Sequence, residues 1–171
     1  MRRRCWLAAL CWLGLAAPAS AWAGPDEVQL KAAFIYRFAQ LTEWPPAPPR
    51  EFTYCVAGNA PLQEALRGLT QGAPGAAPVR LLYLSEPQAV PQCQLLVLGM
   101  TGRAELQRWR ELLADGPVLI VGDSAESFRS GAVIGLVLEP NGLAFRINQT
   151  EAKRRGLVLS YQMLKLAREV K

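Results

Sequence analysis

Two short runs without a polar residue, Leu95-Leu96-Val97-Leu98 and Val118-Leu119-Ile120-Val121, constrain the fold of this chain more than any other feature. A strand with one face in water alternates polar and apolar residues, whereas a strand apolar at every position needs cover on both faces. Residues 102–114, between the two runs, show helical periodicity. Wholly apolar strand, helix, wholly apolar strand is the pattern of a parallel sheet with helices packed on it.

The flanking segments extend that pattern. Residues 26–44 read as an amphipathic helix, with Val28, Leu30, Ala33, Phe34, Phe38 and Leu41 at mixed spacings of three and four. Pro25, Asp26 and Glu27 suit its start, and Pro45-Pro46-Ala47-Pro48-Pro49 forbids its continuation. Residues 51–57 form a first strand, 61–69 a helix, and 79–84 a second strand after a loop rich in Gly, Ala and Pro. The third strand is 93–98 and the fourth 118–121. Beyond them, residues 132–139 and 143–147 are joined by Pro140-Asn141-Gly142 as an antiparallel hairpin. A polar helix over 149–155 stops at Gly156, and Ser160 caps a last helix running to Val170 whose apolar face is Met163, Leu164, Leu166, Ala167 and Val170. The expected fold is a single-domain three-layer α/β/α sandwich, its sheet largely parallel with a C-terminal antiparallel hairpin.

The first 23 residues stand apart from this domain. Arg2, Arg3 and Arg4 precede an uncharged apolar run that closes on Ala21-Trp22-Ala23, which is the pattern of a secretory signal peptide cleaved after Ala23. The alternative, a retained membrane anchor, is opposed by Pro18, which breaks the run well short of a bilayer span. Residues 24–171 are then one exported domain. Three of the 19 Lys+Arg leave with the leader, so 16 face 14 Asp+Glu. So small an excess, without a basic stripe, argues against nucleic acid as partner. Cys55 and Cys93 are the cysteines that remain, and an even pair in an oxidising compartment is expected to form a disulfide; the alternative is two buried thiols.

The chain contains no histidine. Ser-His-Asp and Cys-His nucleophiles, imidazole general bases and His-based zinc sites are therefore excluded. Gly122-Asp123-Ser124 resembles a nucleophile block, but without a base its better reading is local, Asp123 capping the following helix with Glu126 as the reciprocal partner. Gly99-Met100-Thr101-Gly102 falls where strand gives way to helix and offers amides to an anion, or simply a tight turn. No dinucleotide fingerprint and no P-loop lysine accompany it, and no cofactor is expected. Glu139 stands upstream of Lys153, Arg154 and Arg155, either as a recognition element or as a salt-bridge partner. Together they define an alternative reading, a pocket for an anionic or amino-acid ligand that feeds a sensor kinase or other receptor.

Five blocks of the sequence resemble, in order, those of the YfiR-like family. They are KAAFIYRFAQLTEW before Pro45, Tyr54-Cys55-Val56-Ala57-Gly58, Gln92-Cys93, VIGLVLEPNGLAFRIN and AKRRGLVLSYQMLKLAREV. The resemblance implies a periplasmic, non-enzymatic repressor that binds the periplasmic sensor domain of a YfiN-type membrane diguanylate cyclase, so controlling cyclic di-GMP and biofilm. It further implies homodimerisation and release through an outer-membrane YfiB-like lipoprotein or redox stress. Some relatives carry a second cysteine pair in the C-terminal half; here redox sensing rests on Cys55 and Cys93 alone. The expected partner-binding residues are Glu139, Leu143, Phe145, Arg146, Asn148, Arg154 and Arg155, with Tyr161, because they combine an apolar anchor, arginine and a polar rim in one stretch. The competing reading makes Phe145 core and Asn148 a helix cap.

Overall fold

The computed structural model describes residues 27–71, 78–113 and 115–171. The expected leader and cleavage site, and most of the expected Gly/Ala/Pro loop, lie outside these residues.

Helix α1 (Glu27–Gln40) buries Ala32, Ile35, Phe38 and Ala39, one stripe at helical spacing. It ends four residues earlier than its periodicity predicts. The Thr42 hydroxyl donates to the Phe38 carbonyl at 2.8 Å and occupies an orphan acceptor of the last turn. Thr42 and Glu43 then form a two-residue strand, β1 (Thr42–Glu43).

Four parallel strands follow: β2 (Phe52–Ala57), β3 (Val79–Tyr83), β4 (Leu95–Leu98) and β5 (Leu119–Gly122). Every residue of β4 and β5 is buried, as their composition requires. Between them stand α2 (Ala60–Thr70), a 3-10 turn over Pro87–Gln92, and α3 (Arg103–Leu112). Asn59 caps α2 by accepting from the Leu62 amide at 3.0 Å.

The second half adds α4 (Ala125–Arg129), the hairpin β6 (Ile134–Glu139) and β7 (Gly142–Ile147), and α5 (Gln149–Arg154). It closes with β8 (Val158–Leu159), α6 (Tyr161–Leu166) and β9 (Glu169–Val170). The large sheet has the order β3-β2-β4-β5-β6-β7-β9, antiparallel only at β6–β7, while β1 and β8 pair antiparallel as a small second sheet. Right-handed crossovers that step in opposite directions from the centre place α2 on one face and α3 and α4 on the other. The chain is thus the α/β domain that the sequence predicts, its sheet covered on both faces. Packing at the β6 face depends on Gly135, where an added Cβ would lie 2.4 Å from that of Phe128.

Two local expectations are corrected. The α4 cap is Ser124, whose hydroxyl accepts from the Ser127 amide while the Ser127 hydroxyl accepts from the Ser124 amide. Asp123 turns away, because Lys31 of α1 and Asn59 at the cap of α2 offer it partly buried charged and amide donors at 2.6 and 2.8 Å. The last helix stops at Leu166 rather than Val170. The Arg168 amide donates to Phe145 O and that of Lys171 to Ile147 O, which makes the tail an edge strand beside β7.

Candidate functional site

The hairpin forms the floor of an apolar groove. In β7, Phe145 sits opposite Leu136 and points its ring into a cluster with Phe38 at 4.9 Å and Phe34 at 6.0 Å between centroids. Leu30, Ala33 and Phe34 of α1 form one wall and Met163 and Leu166 of α6 the other, enclosing about 370 Å³. Arg37 is the one charged residue on this lining, and its guanidinium donates to Gln40. Leu166 is 67% exposed and Tyr161, at the start of α6, is 75% exposed. The groove is thus open to solvent and almost wholly apolar.

The structure divides the eight sequence-derived binding residues. Phe145 is 6% exposed and belongs to the groove floor; Leu143 packs partly buried on the core beside it. Glu139 pairs with Arg168 at 3.4 Å and Arg146 with Glu169 at 3.5 Å, so both stitch the hairpin to the C-terminal tail. Asn148 caps α5, its side chain accepting from the Glu151 amide at 3.0 Å. Tyr161 has the Lys165 ammonium 5.5 Å from its ring centroid. Arg154 and Arg155 lie elsewhere. Arg154 pairs with Asp115 and with Glu151, and Arg155, 6% exposed, pairs with Glu151 at 2.7 Å and donates to Gly116 O.

Those two arginines line a cavity of about 290 Å³ with Asp115, Ser130 and Glu151. Glu139 is not among its walls, so the pocket expected from Glu139 with residues 153–155 is not assembled. The amides of the 99–102 segment are likewise partly spent, since that of Gly99 donates to Ala57 O at 2.8 Å. Sequence reasoning missed Arg37 and the second stripe of α1 as site elements. The signal was present: α1 carries more apolar residues than one buried face uses, and Leu30, Ala33 and Phe34 are the surplus.

Two polar clusters brace this architecture. Lys31 reaches Glu27 at 2.7 Å and Asp123 at 2.6 Å, tying α1 to the carboxyl ends of the central strands. Burial opposes the Lys31 charge, yet hydrogen bonds and attraction from Asp123 and Glu27 hold its ammonium above the ordinary 10.5. For Glu151, burial pushes the carboxyl upward, but Arg154 and Arg155 outweigh it and hold the group below its ordinary value.

Cys55 and Cys93 are joined by a disulfide with their Cα atoms 5.9 Å apart, made possible because β2 and β4 are neighbours. Beside it opens a cavity of about 410 Å³ walled by Trp44, the 45–49 turn, the 3-10 turn and residues 116–118 before β5. Trp44 fixes that wall by donating its indole N–H to Pro117 O at 2.8 Å. Among the described residues no group of three or more His, Cys, Asp or Glu is placed to hold a metal ion, and no helix is long and apolar enough to cross a membrane.

Comparison with known proteins gives one family. The family model described as YfiR/HmsC-like matches residues 28–168. No curated protein matches the chain. In fold, the chain is similar to a conserved domain protein from Vibrio cholerae O1 biovar eltor str. N16961, with a TM-score of 0.58 at 11% identity over 84% of this chain. It is similar also to an ABC domain from Streptococcus pneumonia solved in complex with L-Trp, with a TM-score of 0.56 at 9% identity over 85% of this chain. The match spans 60% of the length of each of those proteins, and at such identities the likeness is one of fold alone.

Proposed function

Because the chain belongs to the YfiR/HmsC-like family, we propose that it is an exported, non-enzymatic regulator that represses a membrane-bound signalling enzyme from the periplasmic side. In this reading residues 1–23 are the signal peptide, and the mature domain, a homodimer, binds the periplasmic sensor region of a YfiN-type diguanylate cyclase. Holding that receptor in one conformation lowers cyclic di-GMP and restrains biofilm; an outer-membrane YfiB-like lipoprotein or redox stress relieves it. A repressor of this kind needs differential affinity for two receptor states and no catalytic group.

The observation that carries the reading is the apolar groove between α1 and α6 over Phe145, with Leu166 standing open on its wall. Buried apolar anchors with an aromatic and a basic rim are what a partner's hot spot requires. Of the residues first assigned to partner binding, Phe145 belongs to this surface, Leu143 packs against the core, and Glu139 and Arg146 hold the C-terminal tail to the hairpin. Arg154, Arg155 and Asn148 contribute through the stability of α5.

The test is titration of the purified sensor region of the cognate cyclase with the wild type and with Leu166→Asp. Leu166 is too exposed for the change to disturb the core, so its melting temperature is expected within a few degrees of wild type while binding weakens at least tenfold, about 1.4 kcal/mol. Undiminished binding by a folded Leu166→Asp protein removes the groove from the interface. The 410 Å³ cavity beside Trp44 favours a second reading, a small-ligand module feeding a sensor kinase or other receptor. Under it, amino acids or nucleotides raise the melting temperature in a concentration-dependent way.

A further inference from the structure

Helix α3 carries an arginine at the border of its buried face. Leu106 and Trp109 are the residues it buries, and Arg110 falls four positions after the first of them. The Arg110 side chain stands by the turn that follows α4, where a Cβ added to Gly131 would lie 3.9 Å from Arg110 Nε. Arg110 and Gly131 both line the cavity of about 290 Å³ that Arg154 and Arg155 line from the end of α5.

Charge around this cavity does not balance. Its walls hold three guanidiniums, Arg110, Arg154 and Arg155, against two carboxylates, Asp115 and Glu151. Both carboxylates are taken: Asp115 pairs with Arg154, and Glu151 pairs with Arg154 at 2.6 Å and with Arg155 at 2.7 Å. Among the described residues no carboxylate pairs with Arg110. The surplus is one positive charge. The sheet side of the same cavity is carbon, formed by Leu98 and Ile120 of the neighbouring strands β4 and β5, 4% and 1% exposed.

We propose that this cavity binds a small monocarboxylate with an apolar body, its acid group held by Arg110 and its carbon lying against Leu98, Leu113 and Ile120. One negative charge cancels the surplus, whereas a second would compete with Asp115 and Glu151 for Arg154 and Arg155. A guanidinium offers a carboxylate two parallel N–H donors, so the match is one of shape as well as charge. An inorganic anion would satisfy Arg110 and leave the apolar side wet. A neutral molecule of the same outline would cover that side and leave Arg110 without a counter-charge. About 290 Å³ is near the lower limit for ligand sites, which holds the ligand to roughly the size of one aromatic ring with its acid group. This inference stands independently of the repressor reading, whose groove lies between α1 and α6.

Benzoate is the probe. Isotope-labelled wild-type protein is titrated with it, and the amides of Leu113, Gly131 and Arg155 are expected to shift together and to saturate in the millimolar range. Benzyl alcohol, which keeps the ring without the charge, and inorganic phosphate, which keeps charge without the ring, are expected to bind at least tenfold more weakly. Arg110→Gln is expected to weaken benzoate at least fivefold; Arg110 is exposed, so the melting temperature stays within a few degrees of wild type. Arg108→Gln removes the same charge from the same helix, at a side chain that pairs with Glu86 and Glu105 outside the cavity, and leaves the benzoate affinity within about twofold. Absence of saturable shifts at these amides up to tens of millimolar overturns the proposal. So does phosphate or benzyl alcohol that binds as tightly as benzoate, and so does a loss that is equal in the two variants or absent in Arg110→Gln. None of these outcomes bears on the Leu166→Asp titration, so the two readings fail separately.

Discussion

Glu151 governs more of the local electrostatics than its place in a six-residue helix implies. It accepts from Arg154 and Arg155, and the Arg155 side chain is only 4% exposed, so this carboxylate compensates a charge taken almost fully out of water. Because the folded carboxyl is held below its ordinary 4.5, its contribution is complete above that value and is lost as pH falls through the lowered one. Glu151→Gln is expected to cost about 1–3 kcal/mol at pH 7, with a gap to wild type that narrows below pH 4.5. Urea midpoints at pH 7 and pH 3 check this, and a gap that does not change with pH assigns the loss to packing instead. Residue types were legible here but partners were not. Asn148 as a cap follows from its position before a polar helix, whereas Asp123 looked like a cap and serves Lys31 across the fold, since a contact 92 residues away leaves no local trace. The buried state of Arg155 was hidden for the same reason, its acceptor Gly116 being far off in sequence.

Elements were read well wherever composition left one solution. β4 and β5, apolar throughout, lie in the sheet centre as expected, and the hairpin turns at Pro140-Asn141. The ends were harder. Periodicity from Met163 to Val170 is compatible with one helix, yet strand pairing to β7 is worth more to the tail's backbone than another helical turn, and pairing partners do not show in periodicity. Similarly, β1 and β8 are strands only because they meet each other. The disulfide belongs to this scale, since it locks β2 to the segment entering β4 across a separation of 38 residues. On the chain-entropy model that closure stabilises the domain by about 4 kcal/mol. Cys55→Ala is accordingly expected to lower the unfolding free energy by about 3–5 kcal/mol, and strong reductant to lower the wild-type denaturation midpoint toward that of the variant. Identical midpoints for oxidised and fully reduced wild type contradict a stabilising bridge.

For the molecule as a whole, the division of charge decides what kind of affinity it offers. Most of its acidic side chains are already paired internally, as in Glu139 with Arg168, Glu169 with Arg146, and Glu151 and Asp115 with Arg154, so the arginines near the hairpin and α5 are largely spent. What remains open at the groove is apolar surface with Arg37 at its wall. Association through such a surface draws on the release of water from carbon more than on attraction between charges, and that has a thermodynamic signature. Under the proposed function, calorimetric titration of a cyclase sensor region at several temperatures is expected to give a clearly negative heat-capacity change. Raising NaCl from about 0.1 to about 0.5 M should weaken binding by less than about threefold, because few pairs cross the interface to be screened. A steep salt dependence with a heat-capacity change near zero places the contact on a charged face instead, and the α1–α6 groove would then need a different occupant.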